Sequence, residues 1–356
     1  MSHHSSLCCI LPEDILRRLA EHDQYRQRAL HTLAVTERLR GRREILSQFA
    51  MALGTGEKRR TIYDAHNQTN LPGTLVRPEG AAPINDDAAN EAYDFSGDTY
   101  DFYEKAFKRN SIDNQGMRLD STVHYDQNYD NAFWDGRQMV YGDGDQTIFD
   151  RFTKCLDVVG HELTHGVTAA TAGLLYQNQS GALNESMSDV FGSLVRQMKE
   201  NQTADQADWL IGKGLFLPTI NGEALRSMKA PGTAYDDPTI GKDPQPADMA
   251  HYVNTRSDQG GVHTNSGIPN HAFYLVATQL GGFAWEKAGK IWYVTLTERL
   301  QPTSDFQAAA DATFAVAGEL FGQGSTEQQA VQNGWDGVGI AVNGFATVAA
   351  KKRIVA

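Results

Sequence analysis

The sequence predicts an α+β fold with two lobes, a β-rich N-terminal lobe and a mainly α-helical C-terminal lobe, joined by a central helix with the sequence H-E-x-x-H. Residues 61–147 contain short alternating apolar runs broken by Gly, Pro, Asn and Asp, which is typical of strands and tight turns. From Ala182 onward the apolar residues keep helical spacing. The predicted helices there are 183–200, 268–280, 283–300, 304–322 and 326–334. Between the two patterns, residues 156–189 carry two histidines at helical spacing.

Length and composition indicate a globular chain. It has 356 residues, of which 40% are apolar, enough for two or three domains with their own cores. No run of eighteen apolar residues occurs, so no membrane span is predicted. The start of the chain lacks a standard secretory signal. Export by another route is therefore preferred slightly over a cytoplasmic location. Three cysteines, two of them adjacent, do not form a disulfide framework.

Charge is distributed unevenly along the chain. The formal net charge is −12, but residues 1–60 hold eleven Lys and Arg against seven Asp and Glu, a net +4, which leaves −16 for the remainder. An acidic body argues against nucleic acid as a partner, because phosphate binding needs a basic surface. The basic N-terminal segment is instead expected to bind the acidic body of its own chain.

The N-terminal segment is predicted to be helical over residues 12–50, where Ile15, Leu16 and Leu19 keep helical spacing. It is followed by GTGEKRR, residues 54–60, which has the composition of a flexible linker. Such a tract is either an ordinary surface loop or a place where the chain is cut.

The β-rich region contains one predicted helix, at about residues 86–108, and the stretch DNAFWDG at residues 130–136. An exposed strand edge binds an extended peptide through its backbone, and Asn131 can add side-chain hydrogen bonds. The alternative is that Phe133 and Trp134 are simply core residues.

Residues 156–189 carry the metal motif. His161 and His165 are four apart, so on a helix both imidazoles reach the same point. Glu162 is rotated by about 100° from His161 and is placed beside the metal as a base. Catalytic zinc usually keeps three protein ligands and leaves a fourth position for water. Glu185, on a second predicted helix, is the candidate for the third ligand.

A zinc ion with two imidazoles and one carboxylate suits amide hydrolysis, because it polarises a carbonyl and acidifies water. Glu162 would accept the proton of that water and pass it to the leaving amine. Downstream, His263 follows two glycines and has Asp258 five residues before it, which suits an oxyanion stabiliser, although a lone histidine is more often structural. Tyr176 is a second possible donor or a packing residue.

Four motifs in order carry a family resemblance: NAFWDGRQMVYGDGD, VVGHELTHGVTAATAGLLYQNQSGALNESMSD, LRSM and GGVHTNSGI. With these motifs the chain resembles the thermolysin family of neutral zinc metalloproteases, over nearly all of residues 60–345. Its short N-terminal segment makes it most similar to the protealysin-like branch, as an unprocessed precursor. The resemblance implies a zincin-type fold.

The resemblance also implies roles for individual residues. The zinc ligands would be His161, His165 and Glu185, with Glu162 as general base and Tyr176 and His263 stabilising the tetrahedral intermediate. Asp189 and Asn184 would orient the two histidine ligands, and Asp258 would orient His263. The residues that bind the substrate backbone would be Asn131, Ala132 and Arg226. The pocket for the side chain after the cut bond would be lined by Phe149, Val158, Ile211 and Leu225. Because all four are apolar, we expect endopeptidase cleavage on the amino side of bulky hydrophobic residues.

The family's double calcium site is where this sequence departs from the resemblance. Asp157 and Asp208 are retained, but Arg196, Leu210 and Lys213 stand where the family has carboxylates. A cation among the remaining carboxylates can replace the charge of an ion, so Ca²⁺ is not expected at this site.

In the protealysin-like branch the N-terminal segment is an inhibitory prosegment, here assigned to residues 1–54, with catalytic lobes at 55–172 and 173–356. CCILPEDIL, residues 8–16, is expected to lie in the cleft. Plain apolar occlusion is preferred over zinc binding by Cys8 or Cys9 as thiolate. Maturation is expected to cut between residues 48 and 60, near 49–53, by the enzyme's own action.

The sequence thus predicts a latent, monomeric zinc endopeptidase that acts on proteins or peptides. A catalytically silent metal- or peptide-binding relative is the alternative, although such a protein has no need of Glu162, His263 and Tyr176 together. A zinc aminopeptidase is disfavoured because no acidic motif is present to hold a free amine.

Overall fold

The computed structural model describes residues 8–46 and 57–343. The described strands are β1 (Cys8–Cys9), β2 (Arg60–Asp64), β3 (Thr74–Pro78), β4 (Leu119–Val123), β5 (Ala132–Trp134), β6 (Gln138–Tyr141), β7 (Leu210–Ile211), β8 (Arg226–Ser227), β9 (Asp236–Asp237) and β10 (Gly241–Lys242). The described helices are α1 (Glu13–Glu21), α2 (Arg26–Leu46), α3 (Asp87–Phe107), α4 (Leu156–Ala170), α5 (Asn178–Glu200), α6 (Asp258–Asn265), α7 (Gly267–Leu280), α8 (Ala288–Val294), α9 (Phe306–Phe321) and α10 (Thr326–Gly337). The expected order of a sheet-containing first lobe, a central helix and a helical second lobe is confirmed.

The first lobe is built on a six-stranded sheet with the order β1-β5-β6-β4-β2-β3. Its edge strand β1 comes from the N-terminal segment and pairs antiparallel with β5, with Cys8 opposite Trp134 and Cys9 opposite Phe133. Phe133 and Trp134 are both buried. The two interpretations of this stretch are therefore both correct, since it is a core strand and its backbone also binds an extended chain.

Helices α4 and α5 pack closely against each other. Gly160 of α4 faces Gly192 of α5, and a Cβ atom at Gly192 would overlap the backbone oxygen of Asp157. The absence of side chains at both positions lets the two helix axes approach. This approach brings residues of the two helices together although they are more than twenty positions apart in sequence.

The N-terminal segment is a helical hairpin rather than the single helix predicted over residues 12–50. The chain turns at residues 22–25, between α1 and α2. Ile15, Leu16 and Leu19 of α1 are buried in the main core, as their spacing predicted. Val35 and Leu39 of α2 pack with aromatic residues of the first lobe in a second buried cluster.

Polar contacts also fix α2 to the first lobe. Arg28 donates two hydrogen bonds of 2.6 Å to the carboxylate of Asp130, whose side chain is only 4% exposed. The hydroxyl of Thr32 donates to the carbonyl of Asn128 and accepts from the backbone N–H of Asp130. The basic N-terminal segment therefore does bind the acidic body of the chain.

The helical lobe differs from the prediction at several helix ends. Helix α5 begins at Asn178, earlier than 183, and the helix expected from residue 283 begins at Ala288 and ends as a π-helical segment, Thr295–Arg299. Helix α6 was missed because Gln259, Gly260 and Gly261 have positive φ angles and break the helical pattern. None of the helices in the described residues is long and apolar enough to cross a bilayer.

Candidate metal centre and substrate cleft

The three predicted zinc ligands converge between α4 and α5. The Nε2 atoms of His161 and His165 lie 3.0 Å apart, and the carboxylate oxygens of Glu185 lie 3.5 Å and 3.3 Å from them. All three side chains are buried. Within the described residues, these are the only His, Cys, Asp and Glu side chains that form such a group of three.

The geometry of this cluster fits zinc. Ligands that surround an ion tetrahedrally at 2.0–2.1 Å lie about 3.3 Å from one another, close to the spacing observed here. The Oε2 atom of Glu185 is buried and has no hydrogen-bond partner in the described part of the chain. A buried carboxylate oxygen is costly unless it is paired or coordinates a metal. The donor set of two imidazoles and one carboxylate is also one that zinc takes.

Each histidine ligand is oriented through its other ring nitrogen. Nδ1 of His161 lies 2.8 Å from Oδ1 of Asp189, and Nδ1 of His165 lies 2.8 Å from Oδ1 of Asn184. These contacts hold both Nε2 atoms towards the metal position. The roles expected for Asp189 and Asn184 match this geometry. Ser188 adds a contact of 3.0 Å to His165 Nδ1, which was not predicted.

Asp189 is itself held by further donors. Arg226 donates two hydrogen bonds of 2.8 Å to its carboxylate, and the amide of Asn270 donates a third of 2.9 Å. Burial alone would raise the pKa of Asp189, but Arg226 and His161 outweigh it and hold the pKa well below its usual range. Asp189 is thus a permanently charged carboxylate behind His161.

Glu162 projects from α4 beside the two histidines. It is buried, and its Oε2 accepts a hydrogen bond of 3.2 Å from the backbone N–H of Trp134 in β5. The predicted general base is therefore fixed to the strand edge along which the N-terminal segment runs. A base held beside the bound chain is the arrangement that proton transfer requires.

His263 and Tyr176 face each other on the opposite side of the cleft. His263 Nε2 lies 3.2 Å from the hydroxyl of Tyr176, which also donates to Glu185. His263 Nδ1 lies 2.6 Å from Asp258, as expected for an orienting carboxylate. Burial lowers the pKa of His263, but the negative charges of Asp258 and Glu185 outweigh it and raise the pKa to about 10. His263 is therefore a cationic donor at neutral pH.

The N-terminal segment occupies the predicted substrate-binding residues. Arg226 Nη1 donates to the carbonyl of Ile10 at 3.0 Å, and the N–H of Leu11 donates to Asn131 Oδ1 at 3.0 Å. The N–H of Ile10 lies 3.4 Å from the carbonyl oxygen of Ala132. Asn131, Ala132 and Arg226 thus all contact the backbone of Ile10 or Leu11.

The four apolar residues expected to line the pocket are all buried. These four residues and Ile10 all belong to the main buried core of the chain. Ile211 and Arg226 are paired across β7 and β8, and the N–H of Leu225 donates to the carbonyl of Ile211. This pairing places an apolar wall beside the arginine that holds the bound backbone.

The structure contradicts the zinc-thiolate hypothesis for Cys9. Its side chain is buried in the cluster of Val35, Leu39 and the aromatic residues of the first lobe, and it does not join the group of three ligands. A strand directs successive side chains to opposite faces, and at position 9 the face is apolar. The side chain of Cys8, the predicted cut at residues 49–53 and the 54/55 boundary lie outside the described residues.

At the expected calcium position, the structure shows ion pairs. Arg196 Nη1 lies 2.7 Å from Asp157, and a second guanidinium nitrogen contacts Asp208. Lys213 lies 3.1 Å from Asp208. Asp157 also accepts hydrogen bonds from the backbone N–H groups of positions 158 and 212. The expectation that Asp157 pairs with a lysine or arginine is confirmed.

Two family models match this chain. One described as "Thermolysin metallopeptidase, catalytic domain" matches residues 32–169, and one described as "Thermolysin metallopeptidase, alpha-helical domain" matches residues 172–340. Together they cover most of the chain.

Known relatives are similar over much or nearly all of the chain. An "Extracellular metalloprotease" of Pectobacterium carotovorum subsp. carotovorum is 52% identical over 339 residues, which is 94% of this chain and 97% of the relative. A "Thermolysin" of Bacillus sp. (strain EA1) is 43% identical over 78% of this chain, which spans half of that relative. The solved structure "Precursor of Protealysin, Metalloproteinase from Serratia proteamaculans" is 55% identical with a TM-score of 0.86, over 94% of this chain and all of that one.

Proposed function

Because this chain belongs to the thermolysin family of metallopeptidases, we propose that it is made as a latent zinc endopeptidase that cleaves on the amino side of bulky hydrophobic residues. The family establishes a metalloendopeptidase with a catalytic zinc. The observation that carries the finer proposal is the course of the N-terminal segment, whose backbone contacts Asn131, Ala132, Arg226 and His263 at once.

Each polar group of the cleft has one role in peptide hydrolysis. Zinc, when bound by His161, His165 and Glu185, supplies a positive charge that polarises the peptide carbonyl and acidifies water. Glu162 accepts the proton of the attacking water and delivers it to the leaving amine. His263 and Tyr176 donate hydrogen bonds to the oxygen that becomes negative.

The preference for a bulky hydrophobic residue is supported by the environment of Ile10. This side chain is fully buried in the apolar core, and Arg226 donates a hydrogen bond to the backbone carbonyl of the same residue. Burying an apolar side chain of this size contributes about 1.5–3 kcal/mol. A polar side chain in the same place would lose its hydration without gaining a partner.

Latency is supported by the same contacts, because a segment that fills the cleft excludes other peptides. Residues 1–54 are proposed as the prosegment, followed by catalytic lobes at 55–172 and 173–356. Lys58 and Arg60 form ion pairs with Asp101 and Glu79 of the first lobe. These pairs favour a maturation cut before residue 58, near residues 49–53.

Two further parts of the proposal concern ions and location. The pairs of Arg196 with Asp157 and Asp208 replace the charge of calcium, so no Ca²⁺ is needed there. Relatives named extracellular protease favour secretion of this chain, and we propose that the mature enzyme acts as an extracellular monomer.

The central test is proteolysis of casein by the purified chain before and after maturation. We expect hydrolysis to appear after maturation and to be abolished by phenanthroline, with new N-termini at Leu, Ile or Phe. The Glu162→Gln variant, with its zinc content measured, serves as control. Zinc binding without hydrolysis by the mature wild-type chain would favour the silent relative instead.

A further inference from the structure

The segment in the cleft runs as a substrate strand would. Residues Cys8 and Cys9 pair antiparallel with β5, and the chain then bends at Ile10 and Leu11 before α1 begins. The N–H of Ile10 still points to the carbonyl oxygen of Ala132, at 3.4 Å. The direction and register of this segment are fixed by backbone pairing on one side and by side-chain donors on the other. Each of its peptide bonds therefore has a defined position relative to the catalytic residues.

The carbonyl of Cys9 lies where the carbonyl of the bond to be cut is expected. Its oxygen lies 2.7 Å from Nε2 of His263, the donor proposed to stabilise negative charge on the scissile carbonyl. The next carbonyl, that of Ile10, is the one that Arg226 holds at 3.0 Å. Glu162 is bonded to the N–H of Trp134, directly beside the strand pair.

The side chain after this bond also matches a substrate. Ile10 is fully buried in the main apolar core, to which Val158, Ile211 and Leu225 also belong. The residue before the bond, Cys9, packs its side chain away from the metal ligands in the other apolar cluster. Thus a bulky hydrophobic residue lies on the amine side of the Cys9–Ile10 bond, and among the described side chains of the segment none joins the three predicted zinc ligands.

We propose that the Cys9–Ile10 peptide bond is a self-cleavage site, separate from the maturation cut. Water adds to the Cys9 carbonyl carbon and the bond to the Ile10 nitrogen breaks. Glu162 takes a proton from the water and passes it to that nitrogen. The products are a peptide of residues 1–9 that ends in a carboxylate and a chain that begins at Ile10. This inference rests on the proposed endopeptidase activity.

The cleavage is slow because the amine product stays anchored. Ile15, Leu16 and Leu19 are buried in the core, and Arg28 is bonded to Asp130. These contacts hold the new amine beside the new carboxylate, where the bond can form again. The segment therefore still blocks the cleft after it has been cut.

The first experiment follows the intact mass of the full-length zinc-loaded chain at pH 7. We expect release of residues 1–9 over hours, at a rate that does not change over a hundredfold dilution, because the reaction is intramolecular. The Glu162→Gln chain, loaded with the same amount of zinc, should stay intact. The Ile10→Leu chain should be cut at the same bond, and the Ile10→Asp chain should not be cut there.

A second readout does not depend on catalysis. In the Glu162→Gln chain, hydrogen exchange at the Leu11 amide should be slow because it donates to Asn131. Adding Asn131→Ala should accelerate exchange of the peptide that contains Leu11 at least tenfold. Unchanged exchange would overturn the proposed register.

The outcomes separate this inference from the proposed function. If the mature enzyme hydrolyses casein but the Cys9–Ile10 bond stays intact for days, the self-cleavage site is wrong and the endopeptidase stands. A cut at Ile10–Leu11 or at Cys8–Cys9 would also refute the site. If casein is not hydrolysed, the proposed function itself fails.

Discussion

The two ends of the α4–α5 helix pair neutralise buried carboxylates in different ways. At one end, Glu185 faces two imidazoles, and its Oε2 has no hydrogen-bond partner in the described residues. At the other end, Asp157 is satisfied by Arg196 and by two backbone N–H groups. The first arrangement leaves a carboxylate oxygen available to a metal ion, and the second carries its own cation. The comparison shows that a buried acidic site indicates a metal only when its charge is not already balanced.

The largest expected effect comes from removing the negative charge of Glu185, the predicted carboxylate ligand of zinc. Glu185→Gln should lower zinc affinity by at least about 10³-fold and abolish peptidase activity, because catalytic zinc relies on three protein ligands. Zinc competition with a chelator measures the affinity. Retention of wild-type zinc affinity would show that Glu185 is not a ligand.

Breaking the internal pair at the other end should affect stability instead. Arg196→Met should lower the free energy of unfolding by about 3 kcal/mol, because it leaves Asp157 buried and without its cation. Urea denaturation with equal zinc occupancy provides the measurement. The double variant Arg196→Met with Asp157→Asn should recover most of the loss, and failure to recover would mean that Arg196 acts through packing alone.

Reversing the charge of Arg196 tests whether this residue takes the place of calcium. Arg196→Glu places a third carboxylate beside Asp157 and Asp208, and it should make the chain responsive to calcium. Millimolar Ca²⁺ should raise the Tm of this variant by several degrees and leave the Tm of the wild-type chain unchanged. An equal rise in the wild type would contradict the proposed replacement of calcium by Arg196.

The expected loss of zinc affinity is smaller for a residue that only orients a metal ligand. Asn184→Ala removes the acceptor of His165 and should reduce zinc affinity about 10–100-fold, in the range seen for groups that orient a ligand. Asn333→Ala on the exposed surface of α10 is the matched control and should bind zinc normally. Equal affinities for the two variants would exclude an orienting role for Asn184.

The smallest expected effect concerns a histidine that lies between two carboxylates and loses its positive charge as the pH rises. His124 lies between Asp143 and Asp86, and these carboxylates raise its pKa from 6.5 to about 9 against the effect of burial. A raised pKa stabilises the fold fully below pH 6.5, and this contribution is lost as the pH rises through 9. His124→Gln should therefore lose about 1 kcal/mol at pH 6 and almost nothing above pH 9.5. Unfolding curves at both pH values test this, and an equal loss at the two would exclude titration as the cause.

Local spacing in the sequence was enough to predict the catalytic residues on α4. His161, Glu162 and His165 lie within one and a half turns of one helix, so their relation follows from helical geometry. Glu185, Tyr176 and the pair of His263 with Asp258 were candidates from the sequence itself, whereas the roles of Asp189, Asn184 and Arg226 were assigned by resemblance. Asn270 and Ser188 were missed, since a single Asn or Ser in a helix gives no pattern until the fold brings it to the site.

The sequence predicted the two lobes, but it predicted neither the helical hairpin nor the edge strand of the sheet. The turn at residues 22–25 carries no strong breaker, so the helical hairpin was predicted as one helix. The pairing of β1 with β5 depends on contacts more than 120 residues apart. A two-residue strand is too short to show a periodic pattern in the sequence. It forms because β5 offers an edge with which its backbone can pair.

Arg226 touches both the bound chain and the network behind the metal. One nitrogen holds the Ile10 carbonyl while two others hold Asp189, which in turn orients His161. Occupancy of the cleft and affinity for the ion are therefore linked quantities, and thermodynamic reciprocity makes the linkage equal in both directions. If a chain in the cleft tightens the hold on zinc, then zinc tightens the hold on the chain by the same factor. A zinc-loaded chain should then hold its N-terminal segment in the cleft more tightly than a zinc-free chain does.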